Sequence, residues 1–321
     1  MLFRSPERTK HEVPNLATRV LAIGECMIEL THTGDRTLAL GYAGDTFNTA
    51  VYLARLTSPD AVEVGYLTRL GDDEYSAGIL AAMHAEGLGT SLIDRIPGGR
   101  PGLYLVRTDD GGERSFTYYR SDSPARRLFD GAHGPDLSGY DVLYLSAITL
   151  QLLTPPARER LWSRLAAARA RGAQIVFDSN YRSAGWESAA VAREAVRRTW
   201  ELTTVALPTF TDEHALFGDT SPAATLERLR GLGIPDIAVK DGGNGCLVGD
   251  GTVVPAEKIE STVDTTAAGD AFDAGYLAAR LGGADQVSAA RAGHAIAVKV
   301  IAHPGAIITD PTLPPRGGRD E

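Results

Sequence analysis

The chain of 321 residues has only two cysteines, Cys26 and Cys246, both in apolar, strand-like stretches (LAIGECMIEL and GCLVG). That scarcity excludes a disulfide framework, and no CxxC pair or Cys/His spacing points to a metal knot. Two buried thiols in a reducing, cytoplasmic setting are the expectation. Positive charge is also short: 32 Lys and Arg against 41 Asp and Glu leave a net charge of −9, with no long basic run. Nucleic acid and anionic membranes are therefore not expected partners. No apolar run approaches the ~20 residues that a membrane helix needs. The opening MLFRSPERTKHEVPNLATR has no apolar core of the kind a secretory signal carries, so 1–18 reads as an extension. Two nucleotide fingerprints are missing as well. There is no GxxxxGK[ST], and no GxGxxG follows the first strand, which argues against a P-loop enzyme and a dinucleotide-binding dehydrogenase.

What is present is ordinary globular composition, 43% hydrophobic and 23% charged, in a length suited to one large α/β domain or two smaller ones. Arg19–Gly24 reads as a first buried strand. Thr46–Leu56 has helical periodicity with Asp45 as its N-cap, and 62–70 and 74–87 continue as strand and helix. The stretches 102–107 and 114–120 flank Thr108–Glu113 and read as a hairpin. From Val142 onward strand and helix alternate: 142–146, 157–171, 174–178, 191–199, 205–208, 222–232, 236–240, 272–281 and 287–303. Such alternation predicts a mostly parallel sheet with helices on both faces. The β-prone pieces near 28–43 and 100–121 break the alternation and predict a small projecting β-layer, with 19–309 as the folded domain and 310–321 a flexible tail.

Four segments carry candidate chemistry. In VDTTAAGDAF, small residues precede Asp270 at a helix start, where backbone N–H groups lack partners and attract anions. Asp270 is then either an N-cap or a carboxylate placed to take a proton from an attacking hydroxyl. Lys240–Cys246 is a glycine-rich turn between two apolar strands. Phe177–Arg182 lies at the carboxyl end of a buried strand, where α/β sheets bind ligands, and offers Arg182 to an anionic oxygen or to solvent. Gly41–Asn48 ends in a helix start on which Asp45 and Asn48 are suited to polyol hydroxyls or to plain capping.

In order and spacing, AGDTFN at 43–48 and the Asp264–Asp270 run resemble the motifs of the PfkB/ribokinase-type carbohydrate kinases. The likeness spans nearly the whole chain and is strongest toward the branch acting on 2-keto-3-deoxygluconate, on IGECMIEL, GDTFNTAVYLAR, PGLYLVRTDDGGERSF, FDSNYR, LPTFTDE, DTTAAGDAF and GHAIAVKVIAHPGAI. The resemblance implies a ribokinase-like three-layer αβα core, a β-sheet lid and ATP-dependent phosphorylation of the sugar acid's 6-hydroxyl. Asp270 would be the base, and the N–H groups of Ala267, Ala268 and Gly269 the anion hole. Gly44, Asp45 and Asn48 would hold sugar hydroxyls, while Tyr104, Tyr118 and Arg120 close over the substrate and meet its carboxylate, with Arg182 also among the substrate-binding residues. Asn180 and Arg182 would face the phosphates. Lys240, Gly242, Gly245 and Gly269 would line the nucleotide, with His294 near adenine. The family's N-x-x-E element falls on Thr209–Asp212, so Asp212 or the adjacent Glu213 would meet Mg²⁺ through water. Some relatives also hold a monovalent cation near the Asp264–Thr266 loop. The lid implies a homo-oligomer. The rival readings are a kinase for another sugar, such as fructose or the galactonate-derived epimer, and an inactive sugar-binding sensor. The chain departs from the family pattern at the N-x-x-E element, where Thr209 and Asp212 replace Asn and Glu, and at Ala267, which stands where glycine is frequent.

Overall fold

The computed structural model describes residues 17–108, 114–131, 134–257 and 262–316; most of the extension at 1–18 and the hairpin turn at 109–113 lie outside them. The first apolar run forms β1 (Thr18–Ile23). Its successive side chains diverge: Val20 and Ala22 join one apolar cluster, Leu21 and Ile23 another. A strand covered by helices on both faces divides its side chains in this way.

The chain continues through β2 (Met27–Gly34), β3 (Thr37–Ala43), α1 (Asp45–Leu56), β4 (Val62–Leu67) and β5 (Arg69–Leu70). Then come α2 (Glu74–Ala85), β6 (Asp94–Arg95), β7 (Leu103–Thr108), β8 (Arg114–Tyr119) and β9 (Val142–Ser146). The next stretch holds α3 (Ala147–Leu152), α4 (Pro155–Ala170), β10 (Gln174–Asp178), α5 (Ala189–Trp200) and β11 (Val205–Ala206). It is followed by α6 (Phe210–Phe217), α7 (Pro222–Gly231) and β12 (Asp236–Lys240). Two short strands, β13 (Cys246–Val248) and β14 (Val253–Val254), lead to α8 (Ala268–Leu281) and α9 (Gln286–Ile301).

The large sheet has the order β14-β13-β12-β11-β10-β9-β1-β4. Its strands are parallel from β12 to β4, and β13 and β14 are antiparallel. A separate sheet, β3-β2-β7-β8, is the projecting layer. It is antiparallel except for the parallel β2–β7 pair. The three-layer αβα architecture with a small β-lid is therefore as the pattern predicts.

Local differences bear on function. Gly44, not Asp45, caps α1, and Asp45 is its first residue with a carboxylate free for other partners. A side chain is excluded at Gly44, because a Cβ there would stand 2.1 Å from the Glu25 carbonyl oxygen. α8 begins at Ala268 rather than Phe272, so Asp270 lies inside its first turn. The short helices α3 and α6 carry too little apolar periodicity to be read from sequence. The expected tail is also shorter than predicted. Leu313 is buried in the cluster that lines α1 and α9, and Arg316 donates to the Thr57 carbonyl at 2.6 Å and its hydroxyl at 2.8 Å. The chain is thus packed to 316, and 317–321 lie outside the described residues.

Leu313→Ala is expected to lower unfolding stability by about 2–3 kcal/mol, as for other buried leucines. Denaturant titration checks this; a loss under about 0.5 kcal/mol would put the segment outside the core.

Candidate active site

The carboxyl ends of β1, β9, β10 and β12 open toward one edge, and the N-termini of α1 and α8 converge there. This is the ligand crevice of an open α/β sheet. Asn48, one turn into α1, donates its amide to an Asp270 carboxylate oxygen at 2.8 Å. Thr49 donates to the Asp270 carbonyl at 3.2 Å. Asp45 accepts from Asn180 at 2.9 Å and from the Ser146 hydroxyl. Four segments far apart in sequence therefore meet around two carboxylates.

Asp270 does not cap α8. The cap is Ala267, which has a left-handed φ of 61° and makes no side-chain cap hydrogen bond. Among the described residues, the Ala268 N–H turns to the Thr265 carbonyl at 3.3 Å, and no protein acceptor takes the N–H groups of Ala267, Gly269 or Asp270. These donors sit at the positive end of the helix dipole, so the segment is a cradle for an anion. The simple N-cap alternative for Asp270 is thereby removed.

Beneath the cradle lies a motif the sequence did not disclose. Lys240, buried at 6% exposure, donates to Asp178 at 3.1 Å and to Asp273 at 2.8 Å. Asp273 also accepts from Tyr144, whose hydroxyl takes a bond from Thr49. Lys240 was expected to line a nucleotide but is enclosed in this triad; a Cβ built on Gly269 would lie 3.7 Å from its Nζ. Burial works against its charge, but Asp178 and Asp273 outweigh burial and hold its pKa above the ordinary value. The helical spacing of Asp270 and Asp273 was a usable signal, since both fall within one turn. Only the fold reveals that Lys240 meets Asp273.

Electrostatics make Asp270 a strong proton acceptor. Burial, reinforced by the nearby Asp45 and opposed by the Asn48 hydrogen bond, raises its pKa to about 7. Burial raises Asp45 too.

The lid supplies a wall of aromatic rings. Tyr104 on β7 faces Tyr118 on β8, with ring centroids 5.6 Å apart. Tyr104 donates its hydroxyl to Glu29, and burial followed by that carboxylate pushes its pKa up. Tyr118 is half exposed. Arg120 was expected to stand free for a ligand, yet its guanidinium lies against the buried Glu25, 5.8 Å from the Tyr118 ring. Ser123 also donates to Glu25. Glu25 was not anticipated; its place between two glycine-bounded elements is a weak signal.

Of the remaining candidates, Arg182 is largely exposed and 3.9 Å from Asp212. Asp212 accepts the Tyr181 N–H at 3.1 Å, and burial followed by Asp178 lifts its pKa to about 6. Glu213 is fully buried and committed to Arg228, which leaves Asp212 as the acid facing the crevice. Among the described residues no group of three or more His, Cys, Asp or Glu can hold a metal ion by itself. Gly242 and Gly245 adopt positive φ of 53° and 107°. A Cβ at Gly245 would stand 2.3 Å from the Val254 carbonyl, the same oxygen that the His294 ring contacts at 3.2 Å. Gly245 and His294 therefore meet at the β14 edge, and burial keeps His294 toward its neutral form.

The family model described as pfkB family carbohydrate kinase matches residues 17–313. The 2-dehydro-3-deoxygluconokinase of Escherichia coli (strain K12) is 41% identical over 309 residues, covering 93% of this chain and 100% of that protein. The crystal structure of 2-dehydro-3-deoxygluconokinase from Thermotoga maritima superposes with a TM-score of 0.81 at 19% identity, over 91% of this chain and 95% of that one. A putative ribokinase II of Escherichia coli, solved in complex with ATP and Mg²⁺, gives a TM-score of 0.79 at 20% identity, over 91% and 94%. At these identities the two structures report the fold alone.

The raised Asp270 pKa has a consequence for stability. From its unfolded value near 3.8 to about 7, the native state binds more protons at this group than the unfolded chain does. Stability contributed by the protonated carboxyl is therefore present at low pH and lost as pH rises through about 7. Asp270→Asn, which mimics the protonated form, should be more stable than wild type at pH 8, and the gap should be markedly smaller at pH 5, closing fully only below the unfolded value near 3.8. Denaturant unfolding at both pH values measures it, and a gap independent of pH would contradict the assignment.

Proposed function

Because the chain belongs to the pfkB family of carbohydrate kinases, we propose that it transfers the γ-phosphoryl group of ATP to the 6-hydroxyl of 2-dehydro-3-deoxy-D-gluconate. The observation that carries this reading is Asp270, buried in the first turn of α8, held by Asn48 and adjoining the unpartnered N–H groups of the cradle. Asp270 takes the proton of the attacking hydroxyl, for which a pKa near neutrality suits it. The amides at 267, 269 and 270 receive charge developing on the transferred phosphoryl group. Gly44, Asp45 and Asn48 hold sugar hydroxyls. Asn180 and Arg182 face the phosphates, and Gly242, Gly245, Gly269 and His294 border the nucleotide.

Mg²⁺, when bound, would supply charge neutralisation at the phosphates, and Asp212 would hold it through water. Of the two acids the sequence offers for this role, Asp212 faces the crevice and Glu213 does not, and Asp212 fits a water-mediated contact, because there is no metal cage among the described residues. Tyr104, Tyr118 and Arg120 cover the sugar and exclude water, and Arg120 meets the C1 carboxylate. A second reading has its own support: Glu25 already neutralises Arg120, and this favours a neutral sugar such as fructose.

The lid also suits self-association. Leu38, Leu40 and Tyr119 are exposed. The pairings Leu40–Leu30–Leu105 and Leu103–Tyr119 put them on the face opposite Tyr104. A homodimer through this face would bury them.

ATP-coupled assays on 2-dehydro-3-deoxygluconate, its galactonate-derived epimer and fructose test the function. Asp270→Asn should cut kcat by ~10²–10⁴-fold. Arg120→Ala should raise KM for the sugar acid about ten- to a hundred-fold, the worth of one charge-assisted hydrogen bond, and change fructose kinetics little. Equal losses on both sugars would remove Arg120 as the reader of the carboxylate, and no turnover on any sugar would favour the sensor. For the lid, sedimentation should report a dimer that Leu40→Arg dissociates; a monomeric wild type would exclude it.

A further inference from the structure

The turn that shapes the cradle is conformationally strained. Ala267 is the only non-glycine with positive φ among the described residues, and a left-handed alanine costs about 1–2 kcal/mol. Such a residue persists only where its surroundings over-determine it. The restraint is Asp264. Its side chain is fully buried, one oxygen accepts the Thr266 N–H at 2.9 Å, and the other accepts the Gly305 N–H at 2.6 Å. The Val263 and Asp264 N–H groups are anchored to the Ile301 carbonyl at 2.8 and 3.1 Å. A buried carboxylate needs a counter-charge.

That counter-charge does not come from the core. Arg114, at the start of lid strand β8, brings its Nη1 to 2.8 Å from the Asp264 carboxylate and 2.8 Å from the Thr266 hydroxyl. Glu29 of β2 also senses this arginine and the Asp264 carboxylate, and it is itself bonded to Tyr104. The lid therefore reaches the cradle by one guanidinium.

We propose that Arg114 is a positioning residue that latches the lid to the phosphate cradle: by neutralising Asp264 it holds the turn 264–267 in its anion-binding form when the lid lies over the site. A monovalent cation bound at this loop, as in some proteins that the chain resembles, does not fit here, because the guanidinium already supplies the positive charge at the Asp264 carboxylate. The cradle consequently carries its own cation. Withdrawal of the lid leaves Asp264 buried without a counter-charge and loosens the amides that receive phosphate. Phosphoryl transfer is thereby tied to lid closure, which disfavours ATP hydrolysis before the sugar is enclosed. The catalytic part of this inference rests on the kinase reading above.

The test compares wild type, Arg114→Ala and Arg114→Lys in tetramethylammonium buffer, with and without K⁺ or guanidinium ion. Wild-type turnover should change less than about two-fold on adding K⁺. Arg114→Ala should lose about ten- to a hundred-fold in kcat, the scale of a misplaced catalytic geometry, and added K⁺ or guanidinium should restore much of it. Arg114→Lys, which keeps the charge, should stay independent of added cation. A second readout needs neither sugar nor ATP: K⁺ should raise the Tm of Arg114→Ala and leave that of wild type unchanged. Failure of the kinase reading would remove turnover on every sugar yet leave this melting difference in place. A K⁺-dependent wild type, an Arg114→Ala enzyme with full turnover, or a variant whose turnover and Tm ignore added cations would each overturn the latch.

Discussion

Everything at the crevice depends on placing four carboxylates, the buried Asp178, Asp270 and Asp273 and the half-buried Asp45, around a single buried ammonium, Lys240. Removing charge from water costs several kcal/mol per ion, and the loss is offset only by close pairing and complete hydrogen bonding. Lys240 balances Asp178 and Asp273, while Asn180 and Ser146 satisfy Asp45. Asp270 is left with an uncharged donor, Asn48, and it is the acid whose proton affinity rises to near neutrality. The same excess of negative charge would repel a phosphate. Backbone N–H groups at the start of α8 therefore carry the burden of anion binding, because their dipole is fixed and needs no counter-ion.

The lid obeys the same electrostatic logic. Each of its two site-facing arginines meets a buried acid of the core side: Arg120 with Glu25, Arg114 with Asp264. These pairs stitch two sheets that share no strand, so lid position and charge balance are one variable. A lid that moved away would expose apolar Tyr104 and Val106 and leave two acids buried without cations. That is a physical reason for the lid to rest near the site.

The regular part of the fold was legible because it follows periodicity. The strands at 18–23, 142–146, 174–178 and 236–240 are short apolar runs that a doubly covered sheet requires, and they fall where the pattern puts them. α8 starts four residues before its apolar stripe, since Ala268-Gly269-Asp270-Ala271 is already helical but carries no periodic apolar signal. Asp45 is of a type that favours caps, but the close approach of the Glu25 carbonyl gives that position to Gly44. Prolines and glycines around Leu313 read as a flexible tail, and only the groove beside α1 and α9 gives it a place to pack.

The fold class, the family and the location of the small-residue turn before Asp270 were readable along the chain, because motif spacing and hydrophobic period are local properties. Tertiary structure alone decided the pairings: Asn48 with Asp270 across 222 positions, Lys240 with Asp178 and Asp273, Arg120 with Glu25 and Arg114 with Asp264. The reason is physical. A buried charge takes whichever opposite charge or dipole the packed chain brings within about 3 Å, and that proximity arises from the crossing of helices and sheets rather than from any pattern along the chain.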